Sequence, residues 1–185
     1  SIASSTPESL LTRTIHVPTL TPADLDGDGR RELVGLEGGA LVLHHVVRPH
    51  AGVRRIPLPF LEPQKELTPE EVRTPRLRLL DVDRDGTTDL VVTLVSGRRD
   101  QLGSLRTTLW FLRGPIVDGD TGAVRAPEGR VDTESVALHP RFVDLDGDGA
   151  LDYVGDSIRG TRGDLIKRVL GAEPKITLVG FLYDK

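Results

Sequence analysis

The segment DLDGDGRRE at 24–32 recurs as DVDRDGTTD at 81–89 and as DLDGDGALD at 144–152. All three obey D-x-D-x-D-G-x-x-(D/E), with acids at positions 1, 3, 5 and 9 and glycine at position 6. Carboxylates crowded onto one short turn repel one another unless a cation sits among them. Oxygen donors at this spacing suit a hard ion, above all Ca²⁺, which takes about six to eight oxygens at roughly 2.3–2.6 Å. The loops start 57 and then 63 residues apart. A metal-type loop returning on such a period predicts a chain built from repeated units.

The flanks repeat as well. Each loop follows a short extended stretch: HVPTLTPA at 16–23, PRLRLL at 75–80 and HPRFV at 139–143. Each runs into an apolar segment: LVGLEG from Leu33, LVVTLVS from Leu90 and YVGDS from Tyr153. The run at 90–95 is rich in β-branched residues and ends at Ser96-Gly97, as a buried strand should. The unit is therefore strand, acidic loop, strand. Further strands are expected at 40–47 and 52–58, at 106–112 and 134–138, and at 175–182, with Gly38-Gly39 as a hairpin turn.

About four short strands per unit is the pattern of a β-propeller blade. The expected fold is all-β: three four-stranded blades of a partial propeller, with an acidic loop between the first and second strands of each. The blades would span 14–60, 74–138 and 139–185. Residues 61–75 read as a polar connector, in which Thr68 before Pro69 caps at most one helical turn. Residues 115–133 read as a long hairpin loop. Its Asp118-Gly119-Asp120 stretch lacks the closing acid of the other loops, since Ala126 stands at position 9. Apolar residues at 165, 166, 169 and 170, followed by Gly171 and Pro174, predict a short helix over 163–171.

Composition narrows the function. No run approaches the roughly 18 apolar residues of a membrane span. No signal-peptide pattern opens the chain; with Ser1 first and no Met anywhere, a processed or excised piece is expected. The absence of cysteine excludes disulfides and thiolate metal sites. The three loops hold twelve of the 28 acids, so three divalent ions would move the formal charge from −4 to about +2. Twenty of the 24 basic residues are arginines, scattered without aromatic interleaving, which argues against nucleic-acid binding.

Other calcium loops share this acidic spacing. An EF-hand needs Glu at position 12 and flanking helices; here position 12 is Gly35, Val92 and Gly155, between strands. The glycine-rich nonapeptide of calcium β-rolls and the cysteines of thrombospondin-type repeats are missing. Three such loops in a strand context resemble the FG-GAP or VCBS-type repeat, the calcium-bearing blade of integrin α-subunit propellers and of many bacterial surface proteins. The resemblance covers nearly the whole chain.

It implies up to three structural Ca²⁺ ions. In the first loop Asp24, Asp26 and Asp28 would give side-chain oxygens, Arg30 a backbone carbonyl and Glu32 the closing carboxylate. The same roles would fall to Asp81, Asp83, Asp85, Thr87 and Asp89, and to Asp144, Asp146, Asp148, Ala150 and Asp152. Glu32 departs from the family's usual aspartate, which ranks the first site weakest. The resemblance further implies an extracellular, cell-surface or periplasmic location. Because closed propellers have about four to eight blades, the remaining blades would come from a longer precursor, a partner chain or further copies.

No catalytic constellation stands out. Adjacent His44 and His45 point to opposite faces of a strand, and His16, His50 and His139 are isolated. No nucleophile elbow, P-loop, H-E-x-x-H or dinucleotide fingerprint occurs. Trp110 with Phe111 suits blade packing, with an exposed Trp stacking on a sugar as the other option. The expected function is a non-enzymatic, calcium-stiffened module for adhesion or assembly that contacts a protein or glycan through 61–75 and 115–133. The alternative is a fragment or accessory module of a secreted enzyme of polysaccharide lyase or phospholipase type.

Overall fold

The structure is a computed structural model, and it describes residues 20–45, 52–61, 67–134, 136–137, 140–158 and 176–182. The expected helix over 163–171 lies outside them, as do His16, His50 and His139. The described residues are all-β, with no helix among them.

The first sheet is a meander of β1 (Thr21–Ala23), β2 (Glu32–Glu37), β3 (Ala40–His45) and β4 (Val53–Pro57). Gly38 and Gly39 both take positive φ, 59° and 81°, and turn β2 into β3 as a two-residue hairpin. The second sheet follows the same order with β5 (Glu71–Leu80), β6 (Asp89–Arg98), β7 (Gln101–Leu112) and β8 (Gly129–Thr133). In the third, β11 (Asp152–Ile158) pairs with β12 (Ile176–Phe181) on one side. Its other side takes both β9 (Val136–Ala137) and β10 (Arg141–Val143). Among the described residues every pairing is antiparallel and no sheet closes on itself.

Three boundaries differ from the sequence expectation. Strand β5 begins at Glu71, inside the expected connector, with Pro75 opposite Leu94. Proline is tolerated there because β5 is an edge strand and owes no hydrogen bond on its outer side. The fourth strand of the second sheet is β8 at Gly129–Thr133, not 134–138, so the expected 115–133 loop ends in a strand. Its GRVDT sequence has no apolar run because it, too, is an edge. Val136–Ala137 belongs instead to the third sheet, opposite Ser157 and Ile158.

The sheets pack face to face, with the second in the middle. Along β6, Leu90, Val92 and Leu94 enter a core shared with Ala23, Leu25, Val34, Leu41 and Leu43 of the first sheet and its loop. Val91 points the other way, into a second core with Leu109, Val82 and Tyr153. The period-2 alternation of a strand thus lets one apolar run serve two interfaces. Trp110 is buried in the first core, with its ring 5.4 Å from that of Phe60, so it is not available for stacking on a sugar. On the third sheet's side of the second core, the rings of the cross-strand partners Phe142 and Tyr153 meet edge-on at 5.7 Å.

Backbone hydrogen bonds reinforce both contacts at the same place. Val117 N–H donates to the carbonyl of Leu25 (2.9 Å), and Leu151 N–H donates to that of Val82 (2.7 Å). Leu25 and Val82 are position 2 of their acidic loops. The loops are therefore built into the sheet-to-sheet joints.

Candidate metal centres

All three acidic loops occupy the same hairpin: β1–β2, β5–β6 and β10–β11. They also share one hydrogen-bond scheme. The position-1 carboxylate accepts the N–H of the position-6 glycine: Gly29 to Asp24 (2.8 Å), Gly86 to Asp81 (3.0 Å) and Gly149 to Asp144 (3.1 Å). The position-3 carboxylate accepts the position-5 N–H: Asp28 to Asp26, Asp85 to Asp83 and Asp148 to Asp146, at 3.1–3.2 Å. The position-5 carboxylate accepts the N–H of Arg30, Thr87 or Ala150 at 2.7–2.8 Å.

Position 9 closes the ring from the second strand of each sheet. Asp89 and Asp152 each accept the position-2 N–H, from Val82 and Leu145, at 2.7 Å. Glu32 accepts that of Leu25 at a longer 3.4 Å. Asp89 additionally accepts the N–H of Gly114 (2.8 Å), so both of its oxygens are committed to backbone. All three position-9 carboxylates are buried.

The turn needs left-handed backbone twice. Position 6 is glycine throughout, with φ of 82°, 88° and 92° at Gly29, Gly86 and Gly149. Position 4 was not singled out by the motif, yet Gly27 (78°), Arg84 (56°) and Gly147 (83°) all have positive φ. Glycine at this position in two loops was the available signal. Arg84 holds the conformation against its β-carbon, at a cost of about 1–2 kcal/mol. Replacing it by glycine should stabilise the chain by about 0.5–1 kcal/mol, after the entropy glycine adds to the unfolded state. Chemical denaturation checks this, with an unchanged or lower midpoint as the contrary result.

In each loop three carboxylates bring one oxygen apiece within 4.8 Å of one another: Asp24, Asp26 and Glu32; Asp81, Asp83 and Asp85; Asp144, Asp146 and Asp152. Each cluster can hold a metal ion. Every donor is a carboxylate, which suits a hard cation and not zinc or copper. Asp28, Asp148 and Asp89 fall outside these sets.

Two neighbours escaped the sequence. Arg113 Nε lies 3.0 Å from Asp83 Oδ2 and 3.6 Å from Glu128 Oε2, so the second loop carries a fixed guanidinium that offsets part of its charge. His45 Nδ1 lies 3.8 Å from Glu32 Oε1. Both residues follow their loop by more than ten positions and are brought to it only by strand pairing, Arg113 just past β7 and His45 opposite Glu32.

Burial pushes the Glu32 carboxyl above the ordinary range; the Leu25 N–H opposes this, while Asp26 and Asp28 add to it. Asp89 is also raised, chiefly by burial, against the pull of the Gly114 and Val82 N–H groups. A carboxyl raised in the folded state binds its proton more readily there than when unfolded, so its ionisation costs stability as pH rises. Glu32→Gln should therefore be more stable than wild type in chelator at neutral pH. That advantage should vanish as acid protonates Glu32, and reverse in calcium, where the anion is needed. Melting curves across pH decide this; an advantage independent of pH contradicts it.

No family model, curated protein or solved structure matches this chain. Among the described residues, no helix is long and apolar enough to cross a membrane.

Proposed function

We propose that this chain is a calcium-stabilised repeat module of the FG-GAP or VCBS type. Its three sheets act as successive blades of a propeller, and its ions are structural. The observation that carries this reading is the repetition of one hydrogen-bond scheme in three loops at the same hairpin of three stacked sheets. A carboxylate cluster at the seam of two sheets converts ion binding into sheet docking. Catalytic metals keep an open coordination position, whereas here a buried position-9 residue closes each loop from below.

The module works outside the cytosol, where free calcium is high enough to fill such loops. There it binds a protein or glycan partner through the exposed connections between strands. One such surface is the turn at Asp118–Gly122. Asp118 accepts the N–H groups of Asp120 and Thr121 and the Thr121 hydroxyl, and the Gly122 carbonyl is held by Arg54 of β4 at 2.8 Å. This is a satisfied, pre-organised turn, which lowers the ordering cost of binding.

Screening the intact chain against glycans and surface proteins, with calcium and with chelator, tests the proposal. Calcium-dependent binding without chemical change of the ligand is expected. Turnover of a bound glycan or lipid would replace this reading with an enzymatic one.

A further inference from the structure

We propose that the outer face of the third sheet docks onto the outer face of the first sheet of a second copy of this chain, head to tail. The inference rests on the repeat reading above and assigns its partner. Each acidic loop carries apolar residues at the same three offsets: one before position 1, position 2 itself, and the second residue after position 9. These are Ala23, Leu25 and Val34; Leu80, Val82 and Val91; and Val143, Leu145 and Val154. The first triplet packs in the core between the first and second sheets, and the second in the core between the second and third. Leu25 and Val82 are accordingly 0% and 3% exposed, whereas Leu145 is 54% and Val143 40% exposed.

The third sheet thus offers the surface that the other two bury. It keeps the polar companion as well. Arg78, three residues before its loop, lies 5.7 Å over the Phe142 ring of the next sheet. Arg141 holds the same offset in the third sheet and is exposed.

The receiving side repeats too. The second sheet meets the first through Leu79 and Leu90, and the third meets the second through Phe142 and Tyr153. The same offsets in the first sheet are Pro22, exposed, and Leu33, half-buried. The third sheet therefore presents the offering face and the first sheet the receiving face of a single interface already made twice among the described residues. Two copies joined head to tail make six sheets, within the range of closed propellers.

Sedimentation of the full chain in calcium tests this. The expected species has twice the 20.1 kDa chain mass. Val143→Asp, on the offering face, and Pro22→Asp, on the receiving face, should each weaken self-association on the order of a hundredfold, because a charge would be buried without a partner. Both residues are exposed in the single chain, so both variants should keep the wild-type melting shift between calcium and chelator. Loss of that shift would instead mean failure of the repeat reading itself. A wild-type chain of single mass at every concentration overturns the proposal. So does a Val143→Asp chain of double mass, a Pro22→Asp chain that still pairs through its third sheet alone, or an open series of larger species.

Discussion

Calcium is expected to raise the melting temperature of this chain by on the order of 20 °C over chelator. An ion that binds only the folded state adds about 2.7 kcal/mol per site at a hundredfold excess over its dissociation constant. Three such sites would give roughly 8 kcal/mol, and a domain of this size moves about 2–4 °C per kcal/mol. The effect should be cooperative, since the position-2 carbonyls of the first two loops are hydrogen-bonded to the neighbouring sheet. Removing the ions sets each carboxylate cluster against itself and loosens the joints as well as the turns. Magnesium should substitute poorly, because it demands near-octahedral geometry at about 2.0–2.1 Å and dehydrates reluctantly. Identical melting curves in calcium and chelator would contradict the structural role.

Asp89→Ala should be the most damaging single change in the loops, costing about 3–5 kcal/mol. This carboxylate closes the middle loop and accepts two backbone N–H groups from the interior of the fold, those of Val82 and Gly114. Its loss strands both donors in the interior, at about 1–3 kcal/mol each. Gly114 begins the segment that lays Ile116 and Val117 into the core and carries the Val117 bond to Leu25. The damage should therefore reach both interfaces of the central sheet. Asp81→Ala also removes two N–H bonds, but its donors Asp85 and Gly86 are exposed to water, so it should cost clearly less. Equal midpoints for the two variants in denaturant would show that the burial of the Asp89 donors adds nothing.

The all-β class and the place of the acidic loops were legible because their signals are local. Carboxylate spacing, the glycine at position 6 and the apolar run at Leu90 lie within a few residues of one another. The Gly38-Gly39 turn was legible for the same reason. What escaped depends on partners distant in the chain. GRVDT becomes β8 only because Thr107–Phe111 lies beside it, and Pro75 sits in a strand only because that strand is an edge. Val136–Ala137, assigned by sequence to the second unit, pairs with the third sheet through residues some twenty positions further on. At the site, the acids were visible but their division of labour was not. The motif gives no sign that the fold brings Asp89 a donor from 25 residues away, the N–H of Gly114. Arg113 reaches Asp83 across an even longer span.

The central claim is that these three clusters are ion sites and not merely satisfied acidic turns. Equilibrium dialysis of the folded chain against calcium measures this most directly. Three ions per chain are predicted, falling to two in Asp144→Ala, whose position-1 carboxylate serves the third loop alone. A folded chain that binds no calcium at millimolar concentration would contradict the account.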